Sequence, residues 1–200
     1  MSKHHLIISG TGRSGTTFLM QLLTHLGYDT GFKNPKDGVY ESCNAGMERD
    51  LRDSNAPYIV KSPYISCYLR ELLEKQQLVI DFALVPIRDI HSAAKSRINV
   101  SQRSAHDLSL GLIPGGIWLS NSYSVSDQEH SLTKVFYELL YTLTTFDIPL
   151  ILLDFPRIIT DHEYLYLKLK NVFPDMENQK FKVSFAAISN PQLVHNFQNT

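Results

Sequence analysis

Apolar residues along the chain switch repeatedly between the spacing of a strand and that of a helix. His5-Leu6-Ile7-Ile8 predicts a buried strand, and Phe18, Leu19, Leu22, Leu23 and Leu26 then recur at helical intervals until Gly27 supplies a stop. Tyr28 to Phe32 reads as a short extended piece, Lys33 to Gly38 as a polar loop, and Tyr40 to Leu51 as a helix. Pro57 to Lys61 predicts a short buried strand closed by Ser62-Pro63. Tyr68, Leu69, Leu72 and Leu73 mark the next helix, Leu78 to Ile87 a long strand, and His91 to Val100 another helix. Residues Ser101 to Ser126 carry Gly111, Pro114, Gly115 and Gly116 around Trp118 and Tyr123, without a clean period, and read as a loop or lid. A long amphipathic helix through Leu132, Leu139 and Leu143 precedes the strand Leu150 to Asp154. Thr160 or Asp161 then caps a helix with Tyr164, Leu165, Leu167 and Leu169 as its apolar members, ended near Pro174. The tail from Asp175 to Thr200 has weak periodicity and is expected to pack loosely.

Strands alternating with helices predict an α/β fold of P-loop type: a central parallel sheet covered on both faces, three layers α/β/α, with the ligand site beyond the carboxyl ends of the strands. A chain of 200 residues fits one domain, with a core over residues 1–174 and the tail over 175–200.

The segment between the first strand and the first helix carries the chemistry. Ser9-Gly10-Thr11-Gly12-Arg13-Ser14-Gly15-Thr16-Thr17 has the glycine spacing of the G-x-x-x-x-G-K-[ST] phosphate loop, but Thr16 stands where that pattern places its lysine. Glycines let the backbone N–H groups converge on an anion, and the positive end of the following helix adds to the attraction. The nearby cation is Arg13, inside the loop. One strand–helix unit later Arg88 ends a strand, and Ser96 follows two helical turns on, so that a guanidinium and a hydroxyl can share a phosphate; Ser92 and Arg97 are neighbours able to join them. A third segment, Tyr58-Ile59-Val60-Lys61-Ser62-Pro63, ends a strand on a lysine.

A basic residue followed by Ser-Gly-Thr-Thr directly after a strand resembles the 5'-phosphosulfate loop of the sulfotransferases that use 3'-phosphoadenosine 5'-phosphosulfate (PAPS). The Arg88 to Ser96 pattern is similar to that family's 3'-phosphate segment, and Lys61 to its lysine directed at the bridging oxygen. The resemblance covers roughly the first hundred residues. It implies sulfuryl transfer to a hydroxyl or amine of a small-molecule or carbohydrate acceptor, leaving adenosine 3',5'-bisphosphate, with no metal required. It implies cofactor binding by Gly12, Arg13, Ser14, Gly15, Thr16, Thr17, Arg88 and Ser96, and catalysis by Arg13, Lys61 and a base. One branch places a histidine two residues after the lysine, where this chain has Pro63; another uses a glutamate after the first helix, and Glu41 occupies comparable territory, with Asp37 its nearest substitute. Glu41 reads equally as a solvated carboxylate near a helix start. Two rivals stay open: a P-loop kinase or nucleotide hydrolase using Asp154 for magnesium, and a nucleotide-binding module without catalysis.

Composition narrows the field further. A formal net charge of -1 gives no broad basic face, so nucleic acid is not an expected partner. Two cysteines, Cys43 and Cys67, and eight histidines show neither a disulfide framework nor metal-ligand spacing. The first strand begins within a few residues of Met1, and no apolar run approaches the roughly 20 residues of a membrane helix, so a soluble, cytoplasmic protein without a membrane partner is expected.

Overall fold

The structure, a computed structural model, describes residues 3–40, 42–103 and 122–194. Four strands form the parallel sheet: β1 (Lys3–Ile8), β4 (Ile59–Lys61), β5 (Leu78–Ile87) and β6 (Leu150–Asp154), in the order β4-β1-β5-β6. β1 alternates its side chains between two cores, as a strand covered on both faces must. Leu6 and Ile8 face α1 (Thr16–Leu26), α5 (Arg157–Thr160), α6 (His162–Lys170) and α7 (Asn178–Ile188), whereas Ile7 faces α2 (Ile65–Glu74) and α4 (Val125–Thr145). The expected three layers with a central parallel sheet are present. α3 (Ile90–Arg103) packs on α4.

The chain leaves β1, returns in β4 on one side, and crosses to β5 on the other, which makes the carboxyl end of β1 a topological switch point. Register sets the consequences. Ile8 pairs with Lys61 and with Leu84, so the glycine loop, the end of β4 and the last turn of β5 emerge at one edge. Ile87 pairs with Asp154, and the Phe155 N–H donates to the Ile87 carbonyl at 2.8 Å, which brings the end of β6 beside them.

Four expectations are corrected. The stretch read as a helix over 40–51 contains instead a hairpin of β2 (Val39–Tyr40) and β3 (Ala45–Gly46). Its backbone cannot be helical, because Asn44, Gly46 and Met47 all have positive φ and a Cβ on Gly46 would lie 2.0 Å from the Gly38 carbonyl oxygen. The tail does not pack loosely over its described part: Phe181 on α7 is fully buried, Phe185 meets Phe18 of α1 edge-on, and Lys180 donates to the Leu26 carbonyl at the end of α1. Leu167 is exposed rather than a core member of α6. Tyr28 to Phe32 is irregular, though the Ile59 N–H donates to the Asp29 carbonyl. Trp118 and most of the loop expected over 101–126 lie outside the described residues.

Candidate functional site

The glycine loop curls because three of its residues adopt the left-handed region. Gly12 has φ 70°, Arg13 56° and Gly15 85°; for an arginine that conformation is uncommon. Gly15 also caps α1, and a Cβ there would meet the Phe155 ring at 2.8 Å, so both space and backbone demand glycine. Such a turn directs successive N–H groups inward, at the positive end of α1. The Ser14 hydroxyl beneath it is buried without a hydrogen-bond partner.

Cations gather around this loop. Arg13 folds across it, donating through Nε to the Ser96 hydroxyl at 3.3 Å and through Nη1 to the Cys43 carbonyl at 2.8 Å. It thereby joins the hairpin side of the site to α3. Arg88 donates to the Arg13 carbonyl at 2.8 Å, and its guanidinium lies 5.0 Å from the centre of the Phe155 ring. Lys61 reaches in from β4, 4% exposed, donating to the Glu48 carboxylate at 2.6 Å, the Gly46 carbonyl at 2.7 Å and the Thr17 hydroxyl at 3.2 Å.

Burial lowers the pKa of all four basic groups here. Arg88 is held at about 10 by desolvation and then by the neighbouring charge of Arg13. Arg97 is likewise at about 10, through desolvation, with Tyr64 opposing and Arg13 adding. Desolvation lowers Arg13 as well; for Lys61 desolvation outweighs the upward pull of Glu48. The charge of Arg13 adds to the lowering at Arg88, Arg97 and Lys61, and an anion among these buried cations would relieve that repulsion.

These groups line one cavity of about 460 Å³. Of the residues expected from sequence, Gly12, Arg13, Gly15, Thr16, Thr17, Lys61, Arg88 and Ser96 line it; Ser14 lies beneath the loop, and Glu41 lies outside the described residues. Arg97 lines it too. Asp154, the aspartate that a magnesium site would use, is exposed and not part of the lining. Among the described residues, the carboxylate that does line it is Glu48, which the helical reading of 40–51 hid. Sequence reading also missed Tyr64, which follows Pro63, and a wall of Ile159, Ile188, Leu193 and Val194 contributed largely by the tail.

No family model matches the chain, and no curated protein does. Among solved structures, a sulfotransferase domain from the curacin biosynthetic pathway aligns with it at a TM-score of 0.52 and 14% identity. The two share a fold. The alignment covers 90% of this chain and 76% of that one, so the likeness extends beyond a single motif. No helix among the described residues is long and apolar enough to cross a membrane.

Proposed function

We propose that this chain is a sulfotransferase that moves a sulfuryl group from PAPS to a hydroxyl or amine of a small-molecule or carbohydrate acceptor. The observation that carries the reading is the source of the loop's lysine. Thr16 leaves the phosphate loop without one, and Lys61 supplies it from the neighbouring strand, 3.2 Å from the Thr17 hydroxyl. The likeness to a sulfotransferase domain supports the same reading. A magnesium-dependent kinase lacks support, because Asp154 lies outside the cavity.

The donor's size and charge fit the residues present. The orphaned Ser14 hydroxyl, the curled loop and Arg13 suit the 5'-phosphosulfate; Arg88, Ser96 and Arg97 suit the 3'-phosphate. PAPS would supply the activated sulfuryl group. What the chain contributes is positioning and charge: in a loose transition state, negative charge builds on the leaving phosphate oxygen, and fixed cations in a site shielded from water stabilise it. Arg13 and Lys61 do this. Arg13 stays protonated and acts as a donor of hydrogen bonds, never of a proton. Glu48 is half exposed at the cavity and already shares Lys61, which places a proton acceptor next to the group that stabilises the leaving oxygen. We assign it the acceptor's proton; Glu41, the glutamate expected from sequence for that role, lies outside the described residues.

A thermal-shift comparison tests the nucleotide class. Adenosine 3',5'-bisphosphate should raise the melting temperature, since a ligand that binds only the native state stabilises it by mass action. ATP with magnesium should do so less. Protection by ATP with magnesium and none by the bisphosphate would favour a kinase.

A further inference from the structure

One short segment, Cys43 to Glu48, holds two of the cavity's cations. The Cys43 carbonyl accepts from Arg13 Nη1 at 2.8 Å, the Gly46 carbonyl from Lys61 at 2.7 Å, and the Glu48 carboxylate from Lys61 at 2.6 Å. Lys61 also donates to the Thr17 hydroxyl at 3.2 Å, and that hydroxyl in turn donates to the Gly46 carbonyl at 3.5 Å. An ammonium has three N–H donors. All three of Lys61 are spent, so a phosphosulfate oxygen gains a bond from Lys61 by displacing one of these partners.

The segment cannot absorb that loss in place. Gly46 is buried, and its carbonyl takes bonds from Lys61 and Thr17, two groups that the proposed donor would engage. A buried carbonyl stripped of its donors carries the cost of its desolvation, whereas at the surface water replaces them. The pairing that remains is short, since β2 and β3 are two residues each. Asn44 and Met47 stand at φ 47° and 62°, a conformation that such residues keep when surrounding contacts enforce it. Beyond Gly46 the chain is anchored: the Met47 side chain is fully buried, and the Arg49 N–H donates to the Lys61 carbonyl at 2.9 Å. Cys43 to Gly46 is therefore the part free to move.

We propose that Cys43 to Gly46 is a strap that competes with the donor: its carbonyls occupy Arg13 and Lys61, and it swings out when a nucleotide anion takes those cations. The inference rests on the reading of the cavity as the PAPS site. Because Cys43, Asn44, Ala45 and Gly46 also line the cavity, their release widens it for the acceptor once the donor is seated. The coupling is reciprocal, so whatever holds the strap down weakens the donor, and the donor weakens the strap.

The strap carries its own reporter. Cys43 is 7% exposed, and the chain's other cysteine, Cys67, is exposed on α2, so Cys67→Ser leaves a single thiol whose alkylation by neutral iodoacetamide reads the strap's release. Saturating adenosine 3',5'-bisphosphate, with its binding measured by calorimetry on the same protein, should speed that labelling about tenfold or more. A ligand that merely filled the cavity would cover a thiol in its wall, so slower or unchanged labelling overturns the inference. Asn44→Val in the same background places a β-branched residue at positive φ and undocks the strap without touching either cation. Labelling without nucleotide should then rise about tenfold, and the bisphosphate should add less than about threefold, with the melting temperature confirming a folded chain. Labelling no faster in that variant also overturns the inference. Failure of the bisphosphate to bind in calorimetry overturns the underlying reading of the cavity, and the inference with it.

Discussion

Replacing Lys61 with methionine separates a catalytic ammonium from a structural one. Methionine has a similar unbranched stem and no charge. The lost hydrogen bonds run to Glu48, the Gly46 carbonyl and the Thr17 hydroxyl at 2.6, 2.7 and 3.2 Å, and bonds to a charged group are worth about 1.5–3 kcal/mol each at most. Against this, the substitution removes the cost of burying an ammonium that is 4% exposed. Breaking a buried pair is usually severe because the abandoned partner stays buried, but the Glu48 side chain is 38% exposed and water can take it over. The terms nearly cancel. A net stability change within about 2 kcal/mol follows, or a melting shift of no more than about 8 °C. Loss of a fixed donor to a developing oxyanion costs about 10² to 10³ in turnover. Sulfate release from labelled PAPS to an acceptor, measured beside a melting curve, therefore shows a large fall in kcat with a modest shift in Tm. A variant that melts far lower, or that keeps its turnover, would refute the assignment.

Arg88→Ala should weaken adenosine 3',5'-bisphosphate more than adenosine 5'-monophosphate, by about 10- to 100-fold for the former, from a lost charge-assisted bond of about 1.5–3 kcal/mol. Equal losses in calorimetry would assign Arg88 to holding the Arg13 carbonyl alone. Phe181→Ala, at a position with no exposure and ring contacts to Tyr166 and Phe185, should cost about 3–5 kcal/mol and lower Tm by about 10 °C, whereas a shift below about 2 °C would make α7 dispensable. Arg88 and Arg97, held at about 10 by burial, are charged below that pH in both the native and unfolded chain. Between about 10 and the ordinary arginine value the unfolded chain binds more protons, so these groups make stability rise with pH there, while bisphosphate affinity falls as their charge is lost. Affinity should also rise through about pH 6 as the terminal phosphate gains its second charge; a flat profile from pH 5 to 10.5 would contradict both.

The strands were legible because the sheet is covered on both faces, which forces near-continuous apolar runs such as Leu78 to Ile87, interrupted only at Asp81. The loop was legible because its glycine spacing is a local backbone requirement. The hairpin was not. What decides it is the approach of Gly46 to the Gly38 carbonyl, a contact between residues eight apart that no periodicity within 40–51 reports. Glu48 was lost with it, since its place in the site comes from a carboxylate just after the hairpin meeting a lysine thirteen residues later, at the end of β4. The tail's packing rests on one short stripe, Phe181, Phe185 and Ile188 at helical spacing, and what buries it is a partner far away in the chain, Phe18 of α1. Leu193 and Val194 join the cavity only through that docking.

Turnover of PAPS by the intact protein, with a panel of alcohols, amines and sugars as acceptors and adenosine 3',5'-bisphosphate release as the readout, tests the central claim most directly. The account predicts release that depends on an acceptor, sulfate recovered on that acceptor, and a fall of about 10² to 10⁴ in Glu48→Gln with little change in PAPS affinity. A protein that binds PAPS tightly yet transfers sulfate to nothing in a broad panel would contradict the account and leave a nucleotide-binding module.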